Sequence, residues 1–114
     1  MLLNDKFSLE AMLDSIDKIQ RYSSKYNNPQ DYYNTVEFEA SVMNFIILAE
    51  MVDRLSDEIK SEYPDVSWRS IKGFRNIAAH DYFGLDLDEV WDIIHNYLPR
   101  LQQSIAEIFV NIGR

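Results

Sequence analysis

The sequence predicts an all-α fold: an antiparallel four-helix, up-and-down bundle with a kinked C-terminal helix. Three observations lead there. Apolar residues recur at helical spacing over long stretches. Gly and Pro number only three each, so turns are few and the regular elements must be long. Apolar residues make up 46% and charged residues 26%, which allows a buried core beneath a solvated surface. With 114 residues, the chain reads as a single domain over 1–114.

The elements follow in order. Leu9, Met12, Leu13, Ile16, Ile19 and Tyr22 share one helical face, while Asp14, Asp17, Lys18 and Arg21 lie on others. This first helix should end near Tyr26, before Asn27-Asn28-Pro29. A connector follows up to Thr35, with one helical turn at Pro29-Gln30-Asp31-Tyr32. Thr35 is placed to cap a second helix that runs to about Lys60 or Tyr63. Its stretch from Val42 to Val52 is apolar on several sides, so it should be the most buried element. Pro64 to Trp68 reads as a turn into a third helix, started by Ser67 or Asp65, passing through Arg75 and stopping near His80. Asp86 then caps a fourth helix, whose early acids suit its dipole. Val90, Trp91, Ile94, Tyr97, Leu98, Leu101, Ile105, Ile108, Phe109 and Ile112 form its apolar stripe. Because that stripe continues on both sides of Pro99, the proline should kink the helix and not end it.

Several function classes are excluded. Without cysteine there is no disulfide, thiolate nucleophile or zinc–thiolate site. Two histidines, His80 and His95, are too few for a histidine-rich metal site, and no cofactor or metal is expected. No apolar run is long enough to span a bilayer, and the N-terminus lacks a basic region followed by an apolar stretch, so a cytoplasmic protein is expected. A net charge of −8 opposes general nucleic-acid binding, although a small basic site is compatible with it.

Such a site is visible. Arg69, Lys72 and Arg75 are the only charged residues between Trp68 and Ala79, whereas 81–92 carries five acids. With Arg69 at zero and about 100° per residue, Lys72 falls near about −60°, Arg75 near about −120°, Asn76 near about −20° and His80 near about +20°. Ile71, Phe74 and Ala78 cluster on the opposite, core-facing side. Gly73 and Ala79 flank the polar face and would let a ligand or another backbone approach. The chemistry this set suits is metal-free cleavage of a phosphodiester. His80 can act as general acid or base near neutral pH. Arg75 can hold a phosphate and stabilise developing charge, with Arg69 and Lys72 extending the phosphate-binding surface. RNA brings its own nucleophile, the 2′-hydroxyl. One histidine seldom performs both proton transfers, so a second copy across a two-fold axis, substrate or water must assist.

Other readings of the same residues stand beside this one. A histidine at a helix C-terminus is often a dipole partner only, and Arg75 could simply pair with an acid of the fourth helix. Trp68 and Trp91 read as packing residues and His95 as a surface residue. Glu50, within the apolar second helix, should be a buried acid needing a partner, for which Arg75 is a candidate.

Arg75-Asn76, three residues, His80, one residue, Tyr82 resembles the signature of HEPN domains of the HepT type. The likeness extends to Tyr63-Pro64, Trp68, Ile71, Gly73-Phe74, Tyr82-Phe83-Gly84, Val90 to Ile94, Leu98-Pro99, and Ile46 to Glu50, where the family often has Gly at the position of Ala49. The resemblance implies a homodimer whose signature segments line a shared cleft, and a toxin of a type II toxin–antitoxin pair acting as a metal-independent endoribonuclease on RNA. The implied antitoxin is a minimal nucleotidyltransferase that adenylylates Tyr82. Arg75 and His80 would then be catalytic, with Asn76, Tyr82 and Glu50 supporting. Asp81 beside His80 would favour the protonated imidazole but repel phosphate. The alternatives are a non-catalytic nucleotide-binding or partner-binding subunit of a nucleotidyltransferase complex, and a purely structural dimerisation domain.

Overall fold

The computed structural model describes residues 2–79 and 86–113. They are all-helical, with no strand among them. In chain order the elements are α1 (Leu2–Ser23), α2 (Pro29–Tyr32), α3 (Val36–Arg54), α4 (Asp57–Glu62), α5 (Trp68–Lys72), α6 (Arg75–Ala79), α7 (Leu87–Asp92), a π-helical turn (Ile93–Tyr97) and α8 (Leu98–Ile112). The helix α1 lies along α3 and α8, while α5 and α6 pack on α3. Among the described residues no helix is long and apolar enough to cross a membrane.

The predicted faces become the core. Leu9, Met12, Ile16 and Ile19 of α1 are fully buried against Phe45, Leu48 and Val52 of α3 and Leu98, Leu101, Ile105 and Ile108 of α8. Burying each such side chain contributes about 1.5–3 kcal/mol, which is why helices this short in sequence separation hold together without cross-links. Ile71 and Phe74 extend the same core toward the basic segment.

Local chemistry sets the boundaries. Asn28 caps α2, its Oδ1 accepting from the Asp31 N–H at 2.9 Å, and Pro29 occupies the first turn, where its missing N–H costs nothing. Asn34 then takes a left-handed φ of 67°, a conformation Asn tolerates better than most residues. It directly precedes Thr35, whose Oγ1 accepts from the Phe38 N–H at 3.0 Å and starts α3 as expected. Asp86 caps α7 by accepting from the Glu89 N–H at 3.1 Å.

The first helix ends at Ser23, three residues before Tyr26, and two of the expected helices are broken. The second helix does not run on to Lys60 or Tyr63: α3 ends at Arg54, and Ser56 caps a separate α4. The cause lies on another helix. Asp5 of α1, almost completely buried, accepts from the Ser56 N–H at 2.9 Å and from the Ser56 hydroxyl at 2.8 Å. A carboxylate holding both groups fixes the residue in an extended conformation and stops the helix. Asp5→Ala would leave the Ser56 N–H unpaired; we expect a loss of about 1–3 kcal/mol in the free energy of denaturant unfolding. An unchanged midpoint would show that the clamp is dispensable.

The third helix is likewise two pieces, α5 and α6, joined through Gly73-Phe74. Phe74, Asn76 and Ile77 donate to the carbonyls of Ile71, Gly73 and Phe74, three residues back. The turn is therefore tighter than α-helical. A Cβ at Gly73 would stand 3.2 Å from the Ser70 carbonyl oxygen, so glycine lets this tight passage close. Ser67 stands at the start of α5 but makes no side-chain capping bond.

The helical path continues through Pro99 as expected, and the irregularity beside it is a widened turn. Pro99 lies in the first turn of α8, and the preceding turn widens to the π form, with the Leu98 N–H reaching the Ile93 carbonyl. A proline ring clashes with the carbonyl four residues before it, and widening the turn relieves that clash while the apolar stripe continues.

Candidate functional site

The basic segment is exposed, as its sequence requires. Arg69, Lys72, Arg75 and Asn76 are all exposed, while Ile71 and Phe74 point into the core. The division of faces thus survives the break at Gly73, because Phe74 anchors the link. Its ring meets Phe45 edge-on at 5.1 Å and Tyr97 at 6.2 Å. Arg75 follows Phe74 directly, so the position of its backbone is set by a buried aromatic ring. His80, Tyr82 and Asp81 lie outside the described residues.

Arg75 has a partner other than the expected ones. Its Nη2 donates to Asp53 Oδ2 at 2.5 Å, and Lys72 Nζ donates to Asp53 Oδ1 at 3.2 Å. One carboxylate of α3 therefore bridges the two cations, one oxygen to each. The Lys72 hydrogen bond, followed by the attraction of both cations, holds the Asp53 carboxyl below the usual carboxylate range. The sign is that of any depressed acid: the contacts are complete above the ordinary Asp range and are lost as pH falls through the lowered value. Arg69 makes no ion pair among the described residues.

Glu50 is corrected by this arrangement. It is exposed and pairs with neither Arg75 nor Lys72. The core face of α3 is set by Phe45, Leu48, Ala49 and Val52. At about 100° per residue Glu50 falls roughly 150° from the centre of that face, whereas Asp53 flanks it at about 90°. Apolar neighbours in sequence do not bury Glu50, because they turn toward the core on the other side of the helix. The same wheel identifies Asp53 as the acid on the shoulder where α5 and α6 pack, a residue that sequence reading passed over.

Asn76 has surroundings different from those of Arg75. It lines an open cleft of about 630 Å³ between the Ser70–Ile77 stretch and the Asp86–Arg100 stretch. Phe74, Ile77, Val90, Ile93 and Tyr97 give it an apolar floor, and Asp86, Glu89, Asp92 and Arg100 its charged rim. Arg75, adjacent to Asn76 in the signature, pairs with Asp53, while Asn76 borders the cleft. Among the described residues no three His, Asp or Glu side chains converge to hold a metal ion. Trp68 donates its indole N–H to the Tyr63 carbonyl at 3.1 Å, and Trp91 packs on Tyr32, the packing roles expected of both. His95 is exposed, its ring 4.3 Å from that of Trp91.

Fold and site together define a class: an acidic protein, all-helical among the described residues, with an exposed basic segment anchored in its core. The family is narrower. A model described as ribonuclease HepT-like matches residues 12–108, and the chain belongs to this HepT-like family. A "gamma-glutamylcyclotransferase and putative RNase" of Methanocaldococcus jannaschii is 26% identical over 96% of this chain and 49% of its own length. A "putative RNase" of the same organism is 30% identical over 65% of this chain and 61% of its own length. A "probable ribonuclease HepT" of Thermococcus cleftensis is 22% identical over 95% of this chain and 98% of its own length. The chain therefore spans about half of the first relative and most of the last. No solved structure matches it significantly.

Proposed function

We propose that the protein is a metal-independent endoribonuclease, the toxin of a type II toxin–antitoxin pair, working in the cytoplasm as a homodimer of four-helix bundles. The observation that carries this reading is the family match across 12–108, which includes the whole segment from Arg75 to Tyr82. An exposed arginine at the start of α6 is consistent with it, since a phosphate can reach the guanidinium from solvent. In this reading Arg75 binds the scissile phosphate, and His80 takes the proton of the RNA 2′-hydroxyl as its oxygen attacks phosphorus. The P–O5′ bond breaks with protonation of the departing 5′-oxygen, leaving a 2′,3′-cyclic phosphate. The two-fold partner supplies the second His80 that one subunit lacks. Asn76 supports the site, and Arg69 and Lys72 guide the RNA backbone. The cognate nucleotidyltransferase silences the toxin by adenylylating Tyr82.

The test is incubation of purified protein with total cellular RNA in EDTA, with intact-mass measurement after co-expression with a neighbouring nucleotidyltransferase. Cleavage in EDTA is expected, together with a mass increase of whole adenylyl groups that is lost in Tyr82→Phe. Intact RNA with and without added divalent metal would refute the nuclease. A second reading, a non-catalytic subunit that binds nucleotide or the transferase, is favoured by the acidic rim of the cleft, which repels an RNA backbone. It predicts a stable complex with the transferase and no cleavage.

A further inference from the structure

We propose that Asp53 is a built-in counter-ion for the phosphate site, a positioning residue that an incoming phosphate displaces from Arg75 and Lys72. The RNA identity of that phosphate rests on the function proposed above; the counter-ion role rests on geometry alone. Asp53 presents one oxygen to each cation, at 2.5 Å and 3.2 Å, as two oxygens of a phosphodiester would. Carboxylate and phosphate therefore compete for the same donors. All three side chains are exposed by a third to a half, so exchange requires no opening of the core. Asp53 is ionised at neutral pH, as an ordinary aspartate is, and its two cationic partners favour that form further. One negative charge against two positive ones leaves the site a residual attraction, to which Arg69 adds. The arrangement keeps the long Arg75 side chain ordered in the free protein and weakens its hold on any anion. It also makes binding selective, because a ligand must offer more than a single carboxylate's charge to displace Asp53.

The experiment is a binding titration of Asp53→Asn against wild type, with Asp14→Asn as control. Asp14 forms a comparable exposed pair with Lys18 at 3.0 Å, so the control removes the same charge from a site unrelated to Arg75. The probes are a fluorescein-labelled 2′-O-methyl oligouridine, which lacks the nucleophile and is not cut, and inorganic pyrophosphate followed through arginine Nε–Hε resonances. Asp53→Asn is expected to bind the oligonucleotide roughly fivefold tighter than wild type at low salt. Its plot of log affinity against log salt should steepen by about 0.7, one further phosphate neutralised on a single strand. The gain should shrink in an Arg75→Ala background and vanish when Lys72→Gln is added. If Asp53→Asn, still helical by circular dichroism, binds both probes no better than Asp14→Asn, the proposal is overturned. If no variant binds the oligonucleotide but Asp53→Asn alone gains pyrophosphate affinity, the counter-ion stands and the RNA reading falls.

Discussion

His80→Ala is expected to lower RNA cleavage at least about a hundredfold and to relieve growth inhibition on expression, with helix content unchanged. Removing a general acid–base group typically costs 10²–10⁴-fold, and nothing in the proposed mechanism replaces the imidazole within one subunit. Arg75→Ala should bring a loss of similar order, about 10²–10³-fold, because the guanidinium is the one planar donor fork in the signature. The two losses should differ in kind. His80→Ala acts on the proton and should appear almost wholly in kcat. Arg75→Ala removes a contact made both before and during the reaction, so KM rises as kcat falls. Arg75→Lys keeps a charge that can still face Asp53 but loses the paired N–H geometry, and should recover only part of the activity. Replacing Arg75 leaves the buried core intact, since Arg75 is exposed and its backbone is held by Phe74. Wild-type cleavage by both alanine variants would remove the signature from the mechanism and leave the non-catalytic subunit as the better reading.

What could be read from the chain alone, and what could not, divides along a physical line. Features determined by neighbouring residues were legible. The Thr35 and Asp86 caps, the single turn at Pro29–Tyr32 and the apolar faces of α1 and α8 all follow from side chains within a few positions of where they act. Features determined from elsewhere were not. The break after Arg54 depends on Asp5, 51 residues away, reaching Ser56. Periodicity carries no trace of that contact. The partner of Arg75 was hidden for a related reason. Pairing depends on which shoulder of α3 faces α5 and α6, and that is settled by Phe45 meeting Phe74 across the core. Glu50 is the conspicuous acid within an apolar run, whereas Asp53 is an ordinary acid at the end of it. The basic character of the segment was legible; its partial neutralisation by Asp53 was not.

That dependence of the site on the core makes Phe45 the most instructive position for a stability measurement. Phe45→Ala is expected to reduce the unfolding free energy by about 3–5 kcal/mol, as for other buried phenylalanines truncated to alanine. The ring is fully buried, and its edge-on contact with Phe74 adds to what burial alone provides. A chain of this size has roughly 6–17 kcal/mol in total, so the variant should remain folded at low temperature while its Tm falls by about 10–20 °C. The consequence for function is specific. Phe74 would lose the surface that seats it, and the tight Gly73-Phe74 passage would no longer hold Arg75 opposite Asp53. Cleavage should therefore decline well below the melting transition, before helix content changes. Phe45→Leu refills most of the cavity without restoring the ring contact, and should recover stability more fully than activity. Parallel loss of cleavage and helicity on warming Phe45→Ala would instead show that the core merely supports the fold. Loss of cleavage ahead of unfolding would show that the Phe45–Phe74 contact positions the arginine.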